Sequence, residues 1–268
     1  MRSLSSRLLD STLALAAAGF LLLATNIAVG ANPPGFPPFA KGEFTPADLG
    51  PKEPDLLIDF PGAAANRGIA KGSAVVNVLV DSDGKATDYL VIGCTDLSFG
   101  RKLLDQAKGI SFQAAKFKGV AVPSRYRLGY TFNSKSAAIN PMEAARNRME
   151  ETTGVKLVYS AVAEKDIDGN LEFLNVALPE LPEGYPVTGK DPIKVFVTFY
   201  IDEDGHARVP NVESAAAPEL IPGAIAAVRQ WSFKPVKAKG KPALVFTGRP
   251  VRFMPHVAAV PPAGGAAK

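Results

Sequence analysis

The sequence predicts an α+β protein that consists of two tandem β-β-α-β modules, each a small antiparallel sheet with a helix on one face. In two short segments, every second residue is apolar, which is the period of a half-buried strand. Each segment is followed by an Asp-Gly pair, which is typical of a tight hairpin turn. Each half also contains one apolar stripe at helical spacing. Matching residues of the two halves lie 121 positions apart, which indicates an internal duplication.

The first module covers residues 60–132. Apolar residues alternate over 74–80, and Asp83 with Gly84 predicts a hairpin to a second strand at 86–92. A helix and then a third strand, at 126–132, complete the order. The helical stripe consists of Phe99, Leu103, Leu104 and Ala107.

The second module, residues 181–254, repeats this order. Alternation over 195–201 predicts its first strand, and Asp204 with Gly205 predicts the turn. In the second strand, at 207–214, Pro210 indicates a bulge or an edge position. The last strand is expected at 243–253, after a helical stripe formed by Leu220, Ala224, Ala227, Val228 and Trp231.

One constant offset links the modules from the first strand to the last, which chance alternation would not maintain through two loops and a helix. The first-module positions are Val76, Val80, Asp81, Asp83, Gly84, Ser111, Phe112, Gly119 and Phe132. Their counterparts are Val197, Ile201, Asp202, Asp204, Gly205, Ser232, Phe233, Gly240 and Phe253.

The segments outside the modules have simpler patterns. Residues 1–31 combine Arg2 and Arg7 with an apolar stretch and small residues, which indicates a signal peptide or an uncleaved membrane anchor. Both alternatives export the rest of the chain. Residues 32–59 are Pro-rich and are expected to be a linker, and the Ala/Pro/Gly-rich tail 255–268 is expected to be disordered.

Residues 133–180 connect the modules and predict a polar helix at 141–152. Two apolar stretches, 155–163 and 171–177, flank Asp168 and Gly169. This pattern favours a hairpin that extends the sheet of the second module.

The sequence offers no arrangement typical of catalysis, and we expect no catalytic, cofactor or metal residue. His206 and His256 lack a partner at metal-ligand spacing, and no nucleophile elbow or P-loop is present. Residues 81–84 and 202–205 favour hairpin turns over calcium loops because no ligands follow them. The single cysteine, Cys94, is expected to be a small buried residue.

The chain is also not expected to bind nucleic acid. Its net charge is only +4, and it has no basic stripe studded with aromatic residues.

A series of motifs in the second module resembles the TonB C-terminal domain, the periplasmic part of the energy transducer that serves outer-membrane receptors. In order, these motifs are Tyr185 and Pro186, VFVTF at 195–199, IDEDG at 201–205, AAVRQWSFKP at 226–235, GKP at 240–242 and PVRF at 250–253. The first module is similar at a greater distance, with Phe60 and Pro61, RGIAKG at 67–72, and SFQA at 111–114 in place of WxFxP.

The resemblance implies a periplasmic or envelope protein whose last strand pairs with a short peptide of an outer-membrane receptor, a case of strand addition. Residues 125–132 are the weaker counterpart in the first module, and Trp231 and Phe233 are expected to anchor the core. Inner-membrane association would require an uncleaved 1–31 segment. The partner-binding residues that the resemblance implies are Tyr185, Pro186, Val245, Phe246, Arg249, Val251, Arg252 and Phe253.

Two departures from the transducer's plan keep other functions open: the linker is short and the module is doubled. One alternative is an exported scaffold whose modules pair with each other into a closed pseudo-dimer, without energy transduction. An enzyme is the third, and it would have to recruit His206 or His256. Basic residues flank the last strand of each module and indicate either edge protection or a surface for an acidic or extended partner. They are Arg125, Arg127, Arg249 and Arg252.

Overall fold

The computed structural model describes residues 32–51, 57–134, 156–186 and 191–254, and it confirms a mixed α+β protein that is mostly strand with few helices. The helices are α1 (Gly62–Ala65), α2 (Leu97–Ala107) and α3 (Leu220–Val228). None of the helices in these ranges is long and apolar enough to cross a membrane.

The strands follow in chain order. In the first half they are β1 (Phe44–Thr45), β2 (Asp48–Leu49), β3 (Lys71–Val80), β4 (Ala86–Cys94), β5 (Phe112–Gln113), β6 (Ala115–Phe117), β7 (Val120–Val122) and β8 (Ser124–Asn133). The connection contributes β9 (Tyr159–Ser160), β10 (Val162–Ala163), a 3-10 turn (Glu164–Asp166) and β11 (Phe173–Asn175). The second half contains β12 (Ile193–Ile201), β13 (Ala207–Ser214), β14 (Ser232–Phe233), β15 (Lys237–Ala238), β16 (Lys241–Pro242) and β17 (Val245–Phe253).

The first sheet has the strand order β8-β3-β4-β9, with α2 packed on one face. The Asp96 side chain caps α2 by accepting a hydrogen bond from the Ser98 amide. Phe99 of α2 is fully buried and stacks on Phe132 at 4.8 Å between ring centroids. Alternate residues of β3 face the helix and are buried as well, as their pattern predicts.

The second sheet has the order β10-β17-β12-β13, with α3 packed against β12 and β13. Val195, Val197 and Phe199 form the buried row of β12. The predicted irregularity near Pro210 is confirmed, because the register with β12 shifts there and the preceding residue, Val209, has a φ of 39°.

The faces that carry no helix lie against each other. Strand β13 crosses β8, β3 and β4, so the layers are helix, sheet, sheet and helix. Thr198 and Tyr200, on the β12 face away from α3, are therefore almost completely buried. Because both faces of β12 are covered, every residue from Val195 to Ile201 is buried, and burial does not alternate along the strand.

The described parts of the Pro-rich segment 32–59 pack against both halves. Asn32 Nδ2 donates to the Glu213 carbonyl at 3.2 Å, and the Phe36 ring lies 5.4 Å from that of Phe196 in β12. Further along, β1 pairs with β6 and β2 pairs with β5. A segment expected to be a linker thus contributes strands to the fold.

The hairpin expected around Asp168 does not form, because its two arms pair with different strands. Strand β9 pairs with β4, β10 pairs in parallel with β17, and β11 pairs with β14. These pairings satisfy backbone groups at sheet edges, which a free-standing hairpin would leave open. The expected helix at 141–152, the segment 1–31 and the tail lie outside the described residues.

Candidate partner-binding edges

The residues expected to bind a partner lie mostly inside the fold. Val245, Val251 and Phe253 are fully buried, because alternate residues of β17 face α3, and Phe246 is buried on the opposite face. Tyr185 is half-buried, whereas Pro186 and Arg252 are exposed. A partner on β17 would therefore have to bind through the backbone edge of the strand.

The outer edge of β17 is covered at its start. The Leu244 carbonyl accepts a hydrogen bond from the Val162 amide at 2.8 Å, and Val245 and Phe246 pair with β10. In an antiparallel strand, the N–H and C=O of alternate residues point to the same neighbour. The outward positions are therefore 244, 246, 248, 250 and 252.

Side chains close the next part of the same edge. Arg249 donates from Nη1 to the Gly248 carbonyl at 2.8 Å, and its Nη2 donates to Glu164 Oε1 at 2.6 Å. Position 250 is a proline, which has no N–H to offer. Beyond β10 the outward donors are the amides of Gly248 and Arg252, and Pro250 separates them, so an added strand would meet no continuous row of donors.

The Glu164 carboxylate is stabilised in its charged form. Hydrogen bonds from Arg249 are the main cause of the lowered pKa of Glu164, the Thr247 hydroxyl adds to the shift, and burial opposes it. The ion pair therefore depends on pH.

We expect acid to weaken this closure. Because the pKa of Glu164 is lower in the folded protein than its ordinary value near 4.5, its contribution is present above that value and is lost as the pH falls through the folded pKa. Between pH 7 and pH 3, the free energy of unfolding should fall less in Glu164→Gln than in the wild type. The side chains are partly exposed, so the difference should be about 1 kcal/mol or less. Urea unfolding at several pH values checks this, and parallel curves would contradict it.

The outer edge of β8 is different. The Ser134 amide donates to the Ala70 carbonyl on the β3 side, so the odd-numbered residues of β8 point outward. Consistent with this, the Arg125 amide donates to Asn211 Oδ1 at 2.9 Å and not to β3. Within the described ranges no strand pairs with the outward groups of Arg127, Gly129 and Thr131.

This edge also carries a positive charge. Arg127 is partly exposed, but its guanidinium lies near Tyr200 of the second sheet, where loss of hydration lowers its pKa. The charge of Arg125 adds to the shift, and Tyr200 opposes it. In the part of the chain that the structure describes, no carboxylate lies within ion-pair distance of Arg127.

A polar layer fixes the two sheets to each other. Arg208 of β13 binds Asp88 of β4 through Nε at 3.0 Å and Nη2 at 2.5 Å, and its Nη1 donates to Asp202 at 3.2 Å. Hydrogen bonds to Asp88 are the main cause of the raised pKa of Arg208, and burial opposes them. Asp88 also accepts from the amide of Val209, the β-branched residue with positive φ.

Arg125 of β8 completes this layer. Its guanidinium donates to the Val209 carbonyl at 3.2 Å and to Thr198 Oγ1 at 3.1 Å. It also lies 5.4 Å from the ring centre of Tyr200 and 5.5 Å from that of Phe246. One of the two arginines near the last strand of the first half is therefore engaged inside the fold, whereas Arg127 has no ion pair among the described residues.

The connecting segment adds another tie. The Tyr159 hydroxyl donates a hydrogen bond to Glu203 at 2.7 Å. Tyr159 belongs to β9, which pairs with the first sheet, and Glu203 lies in the β12–β13 turn, so this bond joins the two halves. Burial, followed by the Glu203 carboxylate, raises the pKa of Tyr159. Sequence spacing gave no signal for this contact, nor for Glu164 or the Asp88–Arg208 pair.

Asp202, Asp204 and His206 have possible ligand atoms within 4.8 Å of one another. Asp202 Oδ1 accepts from the amides of Asp204 and His206 at 3.2 and 2.8 Å, and its Oδ2 accepts from Arg208. These hydrogen bonds account for the cluster as a hairpin turn.

Comparisons with protein-family models, with curated proteins and with solved structures find no match to this chain.

Proposed function

We propose that this protein is an exported, TonB-like binding protein of the bacterial envelope that captures an extended segment of a partner protein by β-strand addition, without catalysis. The observation that carries the proposal is the outer edge of β8, where the outward backbone groups of Arg127, Gly129 and Thr131 have no paired strand within the described chain. Pairing would satisfy these groups at once.

The finer architecture that we propose is a duplication of one β-β-α-β module. Its local geometry repeats: Gly84 and Gly205, both with positive φ, lie against the carbonyl oxygens of Phe112 and Phe233. Each pair is separated by the same 121 positions. A shared close approach of turn and strand supports common ancestry beyond a shared hydrophobic pattern.

The same offset explains why β8, and not β17, is the better edge. Gly129 corresponds to Pro250, and Arg127 corresponds to Gly248, whose carbonyl is occupied by Arg249. We infer that the family-like motifs of the second half form its core, and that the partner strand pairs with the outer edge of β8 in the first half.

The resemblance to the energy transducer points to an envelope or outer-membrane receptor as the partner, and thereby to energy-coupled transport. We propose a location outside the cytoplasm. Association with the inner membrane follows only if residues 1–31 remain attached as an anchor.

A scaffold without a strand-binding role is the second candidate function. The layer formed by Asp88, Arg208 and Arg125 favours it, because these contacts join the two halves without any partner. The two functions differ in one respect: a pure scaffold does not use the β8 edge.

The Gly129→Pro substitution tests the strand-addition proposal. It removes an outward N–H and should leave the fold intact, since the second half has a proline at the corresponding position 250. The partner strand would lose one hydrogen bond and would meet the proline ring at the edge, so its affinity should fall about tenfold. The measurement is quantitative recovery of envelope proteins on the immobilised full chain.

Gly129→Ala is the matched control. It retains the N–H, and no atom lies within 4 Å of the added methyl group. Wild type and Gly129→Ala should retain the same envelope proteins. Equal recovery on Gly129→Pro, or no retained envelope protein on the wild type, would overturn the strand-addition function.

A further inference from the structure

The second half carries another exposed surface, the segment 171–180, here called the acidic ribbon. Its inner side is fixed: the Phe173 ring lies 4.5 Å from that of Phe233, and Trp231 Nε1 donates to the Ala177 carbonyl at 2.8 Å. Asn175 Nδ2 donates to the Gln230 carbonyl at 2.8 Å. The ribbon is therefore a preformed surface.

Three large apolar side chains point away from the core along this ribbon. Leu174 is 62% exposed, Val176 is 46% exposed and Leu178 is 69% exposed. Val176 and Leu178 lie on the same side of an extended chain, and Leu174 precedes them at the register shift between Phe173 and Asn175. A contiguous exposed apolar row beside polar residues marks an interaction surface more often than scattered single residues do.

Glu172 and Glu180 flank this row in the chain, and Glu183 follows three residues later. Glu172 is engaged by Lys234, while Glu180 and Glu183 have no cation within ion-pair distance among the residues that the structure describes. A partner that brings lysine or arginine beside the row would gain electrostatic complementarity.

We infer that the apolar row of the acidic ribbon docks an extended segment of another protein, in which alternate residues are apolar and lysine or arginine flanks them. This surface is independent of the β8 edge and has the opposite charge. Together, the two surfaces would let the protein bridge the partner strand proposed for the β8 edge and a second, basic partner.

A second copy of the chain fits the row less well. Antiparallel pairing centred on Val176 would match the apolar side chains, but it would place Glu172 opposite Glu180 of the other copy. Directly opposed like charges destabilise paired strands.

The experiment uses random twelve-residue peptides displayed on phage and selected on the immobilised full chain. Affinities of enriched peptides are then measured by fluorescence anisotropy. The test variant combines Leu174→Ser, Val176→Ser and Leu178→Ser, which should fold because these side chains are exposed. The matched control combines Leu97→Ser and Val120→Ser, two residues that are each 49% exposed.

We expect enriched peptides with alternating apolar residues and flanking lysine or arginine. They should bind the triple variant at least tenfold more weakly and the control with unchanged affinity. Glu180→Lys with Glu183→Lys should also weaken binding about tenfold. Binding by Gly129→Pro should be unchanged, which separates this surface from the β8 edge.

Other results would overturn the inference. They are the absence of enriched peptides, enriched peptides without basic residues, or equal binding to the triple variant. A wild-type dimer that the triple variant converts to a monomer would make a second copy the occupant. At least tenfold tighter peptide binding by a chain truncated after Met254 would make residues 255–268 the occupant.

Discussion

The Asp88→Ala substitution is expected to lower the free energy of unfolding by about 2–3 kcal/mol, because it removes one partner of a partly buried ion pair and the acceptor of a backbone N–H. Asp88 binds the Arg208 guanidinium through both oxygens and also accepts the Val209 amide. Without it, Arg208 keeps only Asp202 and the Tyr89 carbonyl, and the N–H of a residue held at positive φ has no acceptor.

The chain contains one probe in each half for this measurement. Trp231 is the only tryptophan and is buried in the second half. Cys94 is the only cysteine, and burial raises the pKa of its thiol in the first half, so it should react slowly in the folded protein. Urea unfolding followed by Trp231 fluorescence and by Cys94 labelling reports on both halves.

In the wild type, both probes should show one coincident transition, because the polar layer joins the halves. In Asp88→Ala the transition should move to lower urea. Asp83→Ala, at an exposed turn position, is the control and should change the free energy by less than about 0.5 kcal/mol. A shift below about 1 kcal/mol in Asp88→Ala would contradict the role of this ion pair.

Gly72→Ala is expected to destabilise the protein by about 3 kcal/mol or more. An added Cβ would lie 2.0 Å from Phe99 Cε2 and 2.6 Å from Thr95 Oγ1. The Phe99 ring has no room to move, because it is fully buried between the rings of Phe132 and Phe60. Overpacking of this kind forces shifts in neighbouring groups.

Thermal unfolding should place the midpoint of Gly72→Ala more than about 5 °C below that of the wild type, the scale of a loss of this size. Gly129→Ala is the matched control, since its methyl group meets open space. A midpoint within about 1 °C of the wild type for Gly72→Ala would contradict the packing of α2 on β3.

Local patterns were sufficient to predict the long strands β3 and β12 and the helix α2. The alternation over 74–80 and 195–201 and the helical stripe of α2 depend on residues near one another in the chain, and each corresponds to an element of the structure. The Asp-Gly turns were predictable for the same reason, because Gly84 and Gly205 supply the positive φ that such turns require.

Long-range pairing was not predictable in this way. Asp88 and Arg208 are 120 residues apart, and neither lies in a motif. The apolar stretches at 155–163 and 171–177 were equally suited to a hairpin and to separate sheet edges, since both arrangements satisfy the same pattern. The strands in residues 32–51 were not predicted, because this Pro-rich segment has no sustained apolar periodicity.

The candidate site illustrates the same limit. Motif similarity favoured the last strand of the second half, but motif residues such as Val251 and Phe253 are buried in its core. The availability of an edge depends on which backbone groups remain unpaired. That property emerged only once Glu164, Arg249 and β10 were located beside β17.

Residue-resolved amide hydrogen exchange of the free, full-length protein tests the central claim most directly. The amides of Arg127, Gly129 and Thr131 should exchange orders of magnitude faster than those of Leu128 and Tyr130, which alternate with them and point toward β3. If all five amides were equally protected, the β8 edge would already be covered, and it could not receive a partner strand.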